Sequence, residues 1–523
     1  MMKNASLLRC DLLVVGGGIN GTGIARDAAG RGLSVVLCEQ DDLAAHTSSA
    51  SSKLIHGGLR YLQYGELGLV RKALREREVL MRSAPHLIRP LRFVLPQLPG
   101  LRPAWMLRCG LLLYDHLARR ELLPGSSAVD LRSHASGAAL AAGLDRGFLY
   151  SDAAVDDARL VVLNALDAHE RGATILPRTR CESVFASGQA WRAVLRGEDG
   201  SLTTVEARCL VNATGAWALD LLRQAQIPTQ RQLRMVKGSH IVVPRLFQHD
   251  HAYLFQHGDG RIVFALPFEQ HYTLIGTTDV EYTEDPRRVA ISAQEIDYLC
   301  GISNRCFRTQ ISPADVVWSY AGIRPLLDDG AGNAQAVTRD YELHTDTRAA
   351  PLLSVFGGKV TTYRKLAEEA LERIGRLIDV PGPAWTGNAC LPGGDLLGGA
   401  PNNDAVLHFD QFIQRIQRRY PWLPPPLAMR YARAYGSRVH QLLAGCHTLA
   451  DLGGALLPGL HENELRYLMD VEWARSAHDV LWRRSKLGLQ APPGASRLVD
   501  AWMQRHLLQR RQAPLAAAGG RHG

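Results

Sequence analysis

Three kinds of feature are missing from this chain of 523 residues. It has no uninterrupted run of about 18 apolar residues, the minimum for a helix that spans a bilayer. Its 9 cysteines form no CxxC pair and no Cys/His cluster, so we expect no metal site and reduced thiols in a cytosolic setting. Aromatic residues make up only 7% and are not interleaved with basic residues, which argues against a nucleic-acid-binding protein.

What is present is the composition of a folded protein. Hydrophobic residues account for 46% and charged residues for 21%, and the length predicts two to four domains. The 60 Lys and Arg residues exceed the 51 acidic ones, so the net charge of +9 suits anionic lipid, nucleic acid or a phosphorylated substrate. The apolar segment 7–15 is predicted as a core strand and not as a signal peptide, so we expect no secretion.

The most informative motif follows that predicted strand. Gly16 permits a tight turn, Gly18 lets the backbone approach a pyrophosphate, and Gly21 lets the next helix pack closely on the strand. The amide groups at the N-terminus of that helix stabilise negative charge. A second predicted strand ends at Glu39, where a carboxylate can accept hydrogen bonds from a ribose 2′-OH. The pattern therefore predicts a dinucleotide site.

Other segments are expected to meet the same ligand. Residues 209–217 and 351–364 each resemble a strand that ends in a small-residue turn, and a parallel sheet brings such ends to one edge. Residues 230–320 contain short β-rich runs typical of an antiparallel sheet over the substrate. Since only one GxGxxG motif follows a strand and opens a helix, we expect one dinucleotide. The electrons would then leave for a quinone or for oxygen.

Several longer blocks carry a family resemblance. In chain order they include GGGINGTGIARDAAGRGLSVVLCE, TSSASSKLIHGGLRYL, VNATGAW, KGSHIVVP, IGTTDVEY, AGIRP and FGGKVTTYRKL. Together they resemble the FAD-dependent glycerol-3-phosphate dehydrogenases of bacterial respiration, over the chain up to about residue 490. The extension after Gln504 matches no part of that family.

The resemblance implies an α/β fold: a Rossmann-type FAD-binding domain like that of D-amino-acid oxidase, an inserted antiparallel-sheet substrate domain and a C-terminal helical cap domain. It implies oxidation of sn-glycerol 3-phosphate to dihydroxyacetone phosphate, with hydride passing to FAD and electrons to a membrane quinone. It also implies peripheral attachment to the anionic surface on the cytoplasmic face of the inner membrane, and a homodimer is expected. The FAD is expected to be non-covalent, because no His or Cys is placed to attach it.

Domain boundaries are predicted from these blocks and from changes in the predicted secondary structure along the chain. The FAD-binding domain comprises 1–80, 145–230 and 320–380, the substrate domain 81–144 and 231–319, the linker 381–400, the helical domain 401–510, and a disordered tail 511–523.

The resemblance also assigns site residues. The FAD contacts are Gly16, Gly18, Ile19, Asn20, Gly21, Glu39, Thr47, Ser48, Ser52, Gly58, Leu59, Gly215, Trp217, Gly357, Gly358, Lys359, Val360 and Thr361. The substrate contacts are Arg60, Tyr61, Thr277, Arg324, Arg339 and Lys359.

The chemistry of the substrate supports these assignments. Guanidinium groups match a phosphate bidentately, so converging arginines such as Arg60, Arg324 and Arg339 suit a phosphate clamp, although any one of them could form a surface ion pair instead. Oxidation of a secondary alcohol also needs a proton acceptor, and His240 is the predicted base. Lys359 is the competing base, and a packed strand histidine is the structural alternative for His240.

Alternative functions share the flavin fold. One is a glycerol-3-phosphate oxidase that uses oxygen directly, and another is a flavin amine or hydroxyacid oxidase, which needs a carboxylate clamp of Arg plus Tyr and not three arginines. A flavin-containing RNA-binding protein is the non-enzyme alternative. The segment 102–120 combines Trp, Leu and Tyr with arginines and is interpreted either as a membrane-interface helix or as a core helix.

Overall fold

Two large sheets and a C-terminal helical unit make up the protein. The structure, a computed structural model, describes residues 6–98, 100–258, 260–328 and 340–512. The strands are β1 (Ser6–Val15), β2 (Val35–Cys38), β3 (Leu54–Ile55), β4 (Ile88–Pro96), β5 (Ser127–Asp130), β6 (Arg146–Val155), β7 (Thr174–Leu176), β8 (Thr179–Ser187), β9 (Ala190–Gly197), β10 (Leu202–Asn212), β11 (Leu233–Pro244), β12 (Ala252–Gln256), β13 (Ile262–Phe268), β14 (Tyr272–Gly276), β15 (Val280–Glu281), β16 (Trp318–Leu327), β17 (Glu342–Asp346), β18 (Leu352–Phe356), β19 (Ala455–Leu457) and β20 (Leu460–His461). The helices are α1 (Ile19–Gly30), α2 (Leu67–Ser83), α3 (Ala104–His116), α4 (Asp157–Glu170), α5 (Ala218–Gln224), α6 (Ala293–Cys306), α7 (Tyr363–Ile374), α8 (Asp404–Leu407), α9 (Phe409–Arg419), α10 (Pro425–Tyr435), α11 (Val439–Leu442), α12 (Glu462–Asp470) and α13 (Ala495–Gln512).

The first sheet has the parallel centre that the strand, glycine and helix pattern predicts. Its main order is β17-β18-β10-β1-β2-β7, and every neighbouring pair in the central run from β18 to β7 is parallel. Helices α1, α4 and α7 cover one face, where Ala25 and Ala28 allow close packing of α1. The hairpin β8–β9 and helix α5 cover the other face. The carboxyl ends of β1, β10 and β18 therefore meet at one edge.

The second sheet is mainly antiparallel, as the β-rich runs of residues 230–320 predict. Its main order is β15-β11-β14-β13-β12-β4-β6-β3, with β16 also paired to β11 and β5 to β6. Helices α2 and α3 pack on one face of this sheet, and α6 packs on the other. The sheet thus forms a second layered core beside the first.

The predicted domain boundaries differ from the observed sheets at three strands. β3, β6 and β16 were expected within the FAD-binding segments, but all three belong to the second sheet. β6 pairs with the whole of β4, from Ile88 to Pro96, and β16 pairs with β11 over ten residue pairs from Leu233 to Val242. Such pairing joins segments about 50 to 90 residues apart, so no local pattern in the sequence reports it.

The C-terminal unit has its own apolar core, built by α8 to α13 and the hairpin β19–β20. Within it, α12 ends at Asp470, and the chain then forms a short π-helical turn, Asp479–Arg484. Residues 511–512 end α13, whereas the rest of the predicted tail, 513–523, lies outside the described residues. No helix in the described ranges is long and apolar enough to cross a membrane.

Candidate active site

A glycine turn joins β1 to α1 at the edge where the parallel strands end. Gly16 has a φ of +115°, a conformation that L side chains rarely adopt, and its N–H donates to the Cys38 carbonyl over 2.9 Å. A Cβ added to Gly21 would lie 1.9 Å from the Gly16 oxygen. Both positions therefore require glycine for the reasons that the motif predicts.

The first turn of α1 faces the groove beside this turn. Its N-cap, Gly18, makes no side-chain capping bond, and the Ile19 N–H donates to Ser48 Oγ over 3.0 Å. A helix N-terminus, whose first amides have no partner within the helix, is a ready anion site. This end of the groove suits a pyrophosphate.

Glu39 lies buried at the end of β2, where the sequence places the ribose-binding acid. Its Oε2 accepts the Gly17 N–H over 2.6 Å and its Oε1 accepts the Asp41 N–H over 2.9 Å. Burial raises the pKa of Glu39, and the two amide donors oppose that shift. The backbone thus fixes the carboxyl group at the mouth of the groove.

A groove of about 430 Å³ runs from Glu39 along the glycine turn. It continues into a cavity of about 240 Å³, which shares Thr47, Ser48, Gly357 and Gly358 with it. Every predicted FAD contact lines one or the other, except Gly21, which acts through packing. Arg180, Asp220 and Arg287 also line the groove, and no local sequence signal identifies them. The residues present therefore fit FAD: Glu39 would hold its adenosine end, and the residues of the cavity would hold its ring end.

The cavity wall carries a cluster of charged side chains. Arg324 Nη1 lies 2.9 Å from Asp279 Oδ1 and its Nη2 lies 3.0 Å from Thr277 Oγ1. Arg60 Nη1 lies 3.5 Å from the second Asp279 oxygen. One carboxylate thus holds two guanidinium groups beside each other. Asp279 was not among the predicted residues, because nothing in the IGTTDVEY block separates it from a surface acid.

Two further predicted substrate contacts complete this wall. The Lys359 ammonium lies 3.6 Å from the centre of the Tyr61 ring, a cation–π contact. A Cβ at Gly238 would lie 2.4 Å from the Arg324 guanidinium, so this glycine gives the arginine its space. Arg339 lies outside the described residues.

His240, the predicted base, is not at the cavity wall in the part of the chain that the structure describes. It is 1% exposed, its Nε2 is 2.9 Å from Ser52 Oγ, and its ring stacks on Tyr320. Burial first, then the nearby charges of Arg324 and Lys53, hold the pKa of His240 well below its usual value. His240 therefore reaches the cavity only through the hydroxyl group of Ser52, which does line it.

His56 lines the cavity directly and was missed by sequence reasoning. Its N–H donates to Thr361 Oγ1 over 3.2 Å, and its ring meets the edge of Phe264. Burial, opposed by Asp152 and reinforced by Lys359, Arg77 and Arg324, lowers the pKa of His56 to about 4. The signal that could have found it is its place next to Gly57 and Gly58, four residues before Arg60.

Known proteins share most of the length of this chain. The family model described as FAD dependent oxidoreductase matches residues 11–364, and that of the C-terminal domain of alpha-glycerophosphate oxidase matches residues 385–507. A glycerol-3-phosphate dehydrogenase of Pseudomonas aeruginosa is 52% identical over 94% of this chain and 95% of its own length. A D-erythritol 1-phosphate dehydrogenase of Brucella abortus is 49% identical over 91% of this chain and 94% of its own length.

A solved structure shares the fold of this chain. The glycerol-3-phosphate dehydrogenase of Bacillus halodurans, complexed with FAD, superposes with a TM-score of 0.74 at 28% identity, covering 96% of this chain and 91% of that one. The matches span both sheets and the C-terminal unit. The chain therefore belongs to the family of FAD-dependent glycerol-3-phosphate dehydrogenases.

Proposed function

We propose that this protein oxidises sn-glycerol 3-phosphate to dihydroxyacetone phosphate and passes the electrons to a membrane quinone. The observation that carries the proposal is the pair Arg60 and Arg324, held side by side on Asp279 in the cavity at the flavin end of the groove. Two adjacent guanidinium groups match a phosphate dianion. A clamp for the carboxylate of an amino acid or a hydroxyacid needs only one guanidinium group.

The substrate would lie with its phosphate on this pair and its C2 carbon toward the glycine pair Gly357-Gly358. Thr277 Oγ1 adds a hydroxyl beside Arg324, and Lys359, which lines the same cavity, adds a third cation. Arg339, expected in the same clamp from the family motif, stays part of the proposal. Several cations would hold the phosphate, so that C2 is oriented before reaction.

Oxidation removes a proton from the C2 hydroxyl group and a hydride from C2. Bound FAD supplies the hydride acceptor. His56 takes the hydroxyl proton, because its ring reaches the cavity and is neutral at physiological pH. His240 supports this side of the site through Ser52, and the charge of Lys359 stabilises negative charge that develops on the substrate oxygen.

Two variants separate the candidate proton acceptors. His56→Gln is expected to slow anaerobic flavin reduction by ~10²-fold or more, because the acceptor is lost. His240→Ala is expected to slow it less, since His240 touches the cavity only through Ser52. The reverse order of the two effects would make His240 the acceptor, acting through the Ser52 hydroxyl.

The visible spectrum tests cofactor and substrate together. The purified protein should be yellow, acid precipitation should release the colour, and sn-glycerol 3-phosphate should bleach it without oxygen. D-Erythritol 1-phosphate is the second candidate substrate, since a relative at 49% identity is named for it. If that compound bleaches the flavin at lower concentrations than glycerol 3-phosphate, the substrate assignment is wrong.

Peripheral attachment to the cytoplasmic face of the inner membrane is proposed from helix α3. Leu111 and Tyr114 on this helix pack into the core, so the core-helix interpretation holds for one face. Its other face exposes Trp105 by 67%, Leu112 by 40% and Leu113 by 44%. Aromatic and apolar side chains with flanking arginines suit the headgroup region of a bilayer.

Vesicle binding tests this surface. The protein should float with vesicles of phosphatidylglycerol at low salt, and Trp105→Ala combined with Leu113→Ser should reduce the bound fraction. Leu407→Ser, at a residue 52% exposed on the C-terminal unit, is the matched control and should bind normally. Equal binding by all three proteins would contradict the proposal. Rapid peroxide formation by a protein that ignores vesicles would favour the oxygen-using oxidase.

A further inference from the structure

A buried hydrogen-bond network lies directly beneath the turn that carries His56. The Gly57 N–H points at the Tyr114 hydroxyl oxygen over 2.9 Å and at Asp152 Oδ1 over 3.2 Å. The Tyr114 hydroxyl donates to the same carboxylate, over 2.7 Å to Oδ1. Tyr114 and Asp152 are 3% and 2% exposed, so water does not compete for these bonds.

Arg77 closes the network from a third element. Its Nη1 donates to Asp152 Oδ1 over 2.7 Å and to the Ser151 carbonyl over 2.8 Å, and the side chain is 1% exposed. Arg77 belongs to α2, Tyr114 to α3 and Asp152 to β6. The three elements thus meet at Asp152, and two of them, α3 and β6, contact the Gly57 N–H of the 56–58 turn.

The turn has no space to shift against this network. A Cβ at Gly57 would lie 2.5 Å from the Tyr114 hydroxyl oxygen and 2.5 Å from Leu74 Cδ2. On its other side, His56 is held through its own N–H by Thr361. Both peptide groups that flank His56 are therefore fixed, one by Thr361 and the other by Tyr114 and Asp152.

We propose that Tyr114, Asp152 and Arg77 are positioning residues that aim the His56 ring at the C2 hydroxyl of the substrate. The inference rests on the role of His56 proposed above. A buried ion pair is weak evidence for stability, because removing two charges from water costs about as much as their attraction returns. Three donors converge on Asp152 Oδ1, and one of them is the Gly57 backbone amide of the site, an arrangement that instead specifies a geometry.

Tyr114→Phe tests the inference with the smallest change. It removes the hydroxyl group that links Gly57 to Asp152 and leaves the ring packing and the Arg77 ion pair in place. We expect flavin reduction at saturating substrate, followed by anaerobic stopped flow, to slow ~10-fold from misplacement of the acceptor. FAD content and the substrate concentration for half-saturation should change less than about twofold, since Tyr114 lines neither the groove nor the cavity.

Tyr253→Phe is the matched control. Tyr253 is 0% exposed and its hydroxyl donates to the Ser136 carbonyl in the core of the second sheet, away from the cavity. Both variants should lower the melting temperature by similar amounts. Only Tyr114→Phe should lower the rate of flavin reduction per bound FAD. Equal rates in the two variants would reduce Tyr114 to a structural residue and overturn the inference.

A double-mutant cycle decides whether Tyr114 acts through His56. In a His56→Gln background, Tyr114→Phe should have no further effect on the rate of flavin reduction. Effects that multiply would overturn the inference while leaving His56 as the acceptor. A fully active His56→Gln protein would overturn the acceptor role itself, and the positioning role with it.

Discussion

At Arg324 the guanidinium group makes two directed contacts that a lysine cannot reproduce. One nitrogen bonds Asp279 and the other bonds Thr277, so the planar group is fixed before the substrate arrives. Gly238 packs against its face, where a Cβ would collide. Fixed donors lose little entropy when a phosphate binds, which is the advantage of a preorganised clamp.

Arg324→Lys is therefore expected to raise the substrate concentration for half-saturation by ~10-fold or more, because the charge is kept but the two fixed N–H donors of the guanidinium group are lost. Turnover at saturation should fall much less. Steady-state kinetics with a quinone analogue measures both. Arg305→Lys, at an exposed residue of α6, is the control and should behave as the parent protein. A half-saturation value within twofold of the parent would remove Arg324 from the clamp.

The titration of His56 makes a second prediction at this scale. Burial and the charges of Lys359, Arg77 and Arg324 favour the neutral ring, while Asp152 opposes them, and the pKa falls from about 6.5 to about 4. A lowered pKa means that the ring stays an acceptor as the pH falls from 8 to 6. Protonation, and with it loss of the acceptor, begins only as the pH approaches 4.

Flavin reduction at saturating substrate should therefore be nearly independent of pH between 8 and 6. A base with the ordinary pKa of about 6.5 would instead lose roughly three quarters of its activity by pH 6. Stopped-flow measurements across this range distinguish the two. A midpoint near 6.5 that disappears in His56→Gln would contradict the lowered pKa of this ring.

Among the elements, helix α1 is the one whose position decides the cofactor site. It approaches β1 so closely that a Cβ at Gly21 would lie 1.9 Å from the Gly16 carbonyl oxygen. Backbone atoms cannot move aside as a flexible side chain can. The amides of the first turn reach the groove only because this approach is permitted.

Gly21→Ala should therefore displace α1 and strongly reduce FAD content and thermal stability. Gly301→Ala is the contrasting control, since Gly301 lies in α6 with no atom within 4 Å of an added Cβ. There the substitution should stabilise the helix by about 0.5–1 kcal/mol. Absorbance of bound flavin and thermal melting report both effects. A fully loaded Gly21→Ala protein would show that this contact does not control the site.

In the whole molecule, buried ion pairs join the C-terminal unit to the first sheet. Asp42 follows Glu39 closely in the chain and accepts from Arg483 Nε over 2.6 Å and from Arg484 Nη2 over 2.8 Å. Asp42 is 1% exposed, and Arg159 pairs with Glu472 at a second buried point of the same contact. The C-terminal unit thus contacts the loop after Glu39, at the adenosine end of the groove.

Asp42→Ala would leave two buried guanidinium groups without their shared carboxylate. We expect a loss of about 3–5 kcal/mol in the free energy of unfolding, together with weaker FAD retention. Asp470→Ala is the control, because Asp470 pairs with Arg510 at the surface, where the arginine side chain is 57% exposed. That change should cost less than about 1 kcal/mol. Denaturant titration compares them, and equal losses would contradict a docking role for Asp42.

The sequence by itself determined the dinucleotide site. Gly16, Gly18, Gly21 and Glu39 lie within one strand, turn, helix and strand unit, and the geometry of such a unit is set by neighbours in the chain. The blocks at residues 47–61 and 351–364 likewise contain predicted contacts that line the cavity. A backbone position that needs a positive φ or has no room for a Cβ requires glycine, so the sequence itself reports it.

Only the tertiary structure decided which side chains face the cavity. His240 and His56 both lie in blocks that resemble the family. The ring of His240 stacks on Tyr320 outside the cavity, whereas Tyr114 and Asp152 hold the turn that places His56 at the cavity wall. The pairing of β6 and β16 into the second sheet also joins distant segments. The orientation of side chains and the pairing of strands depend on packing between residues far apart in the chain, so local residue type does not predict them.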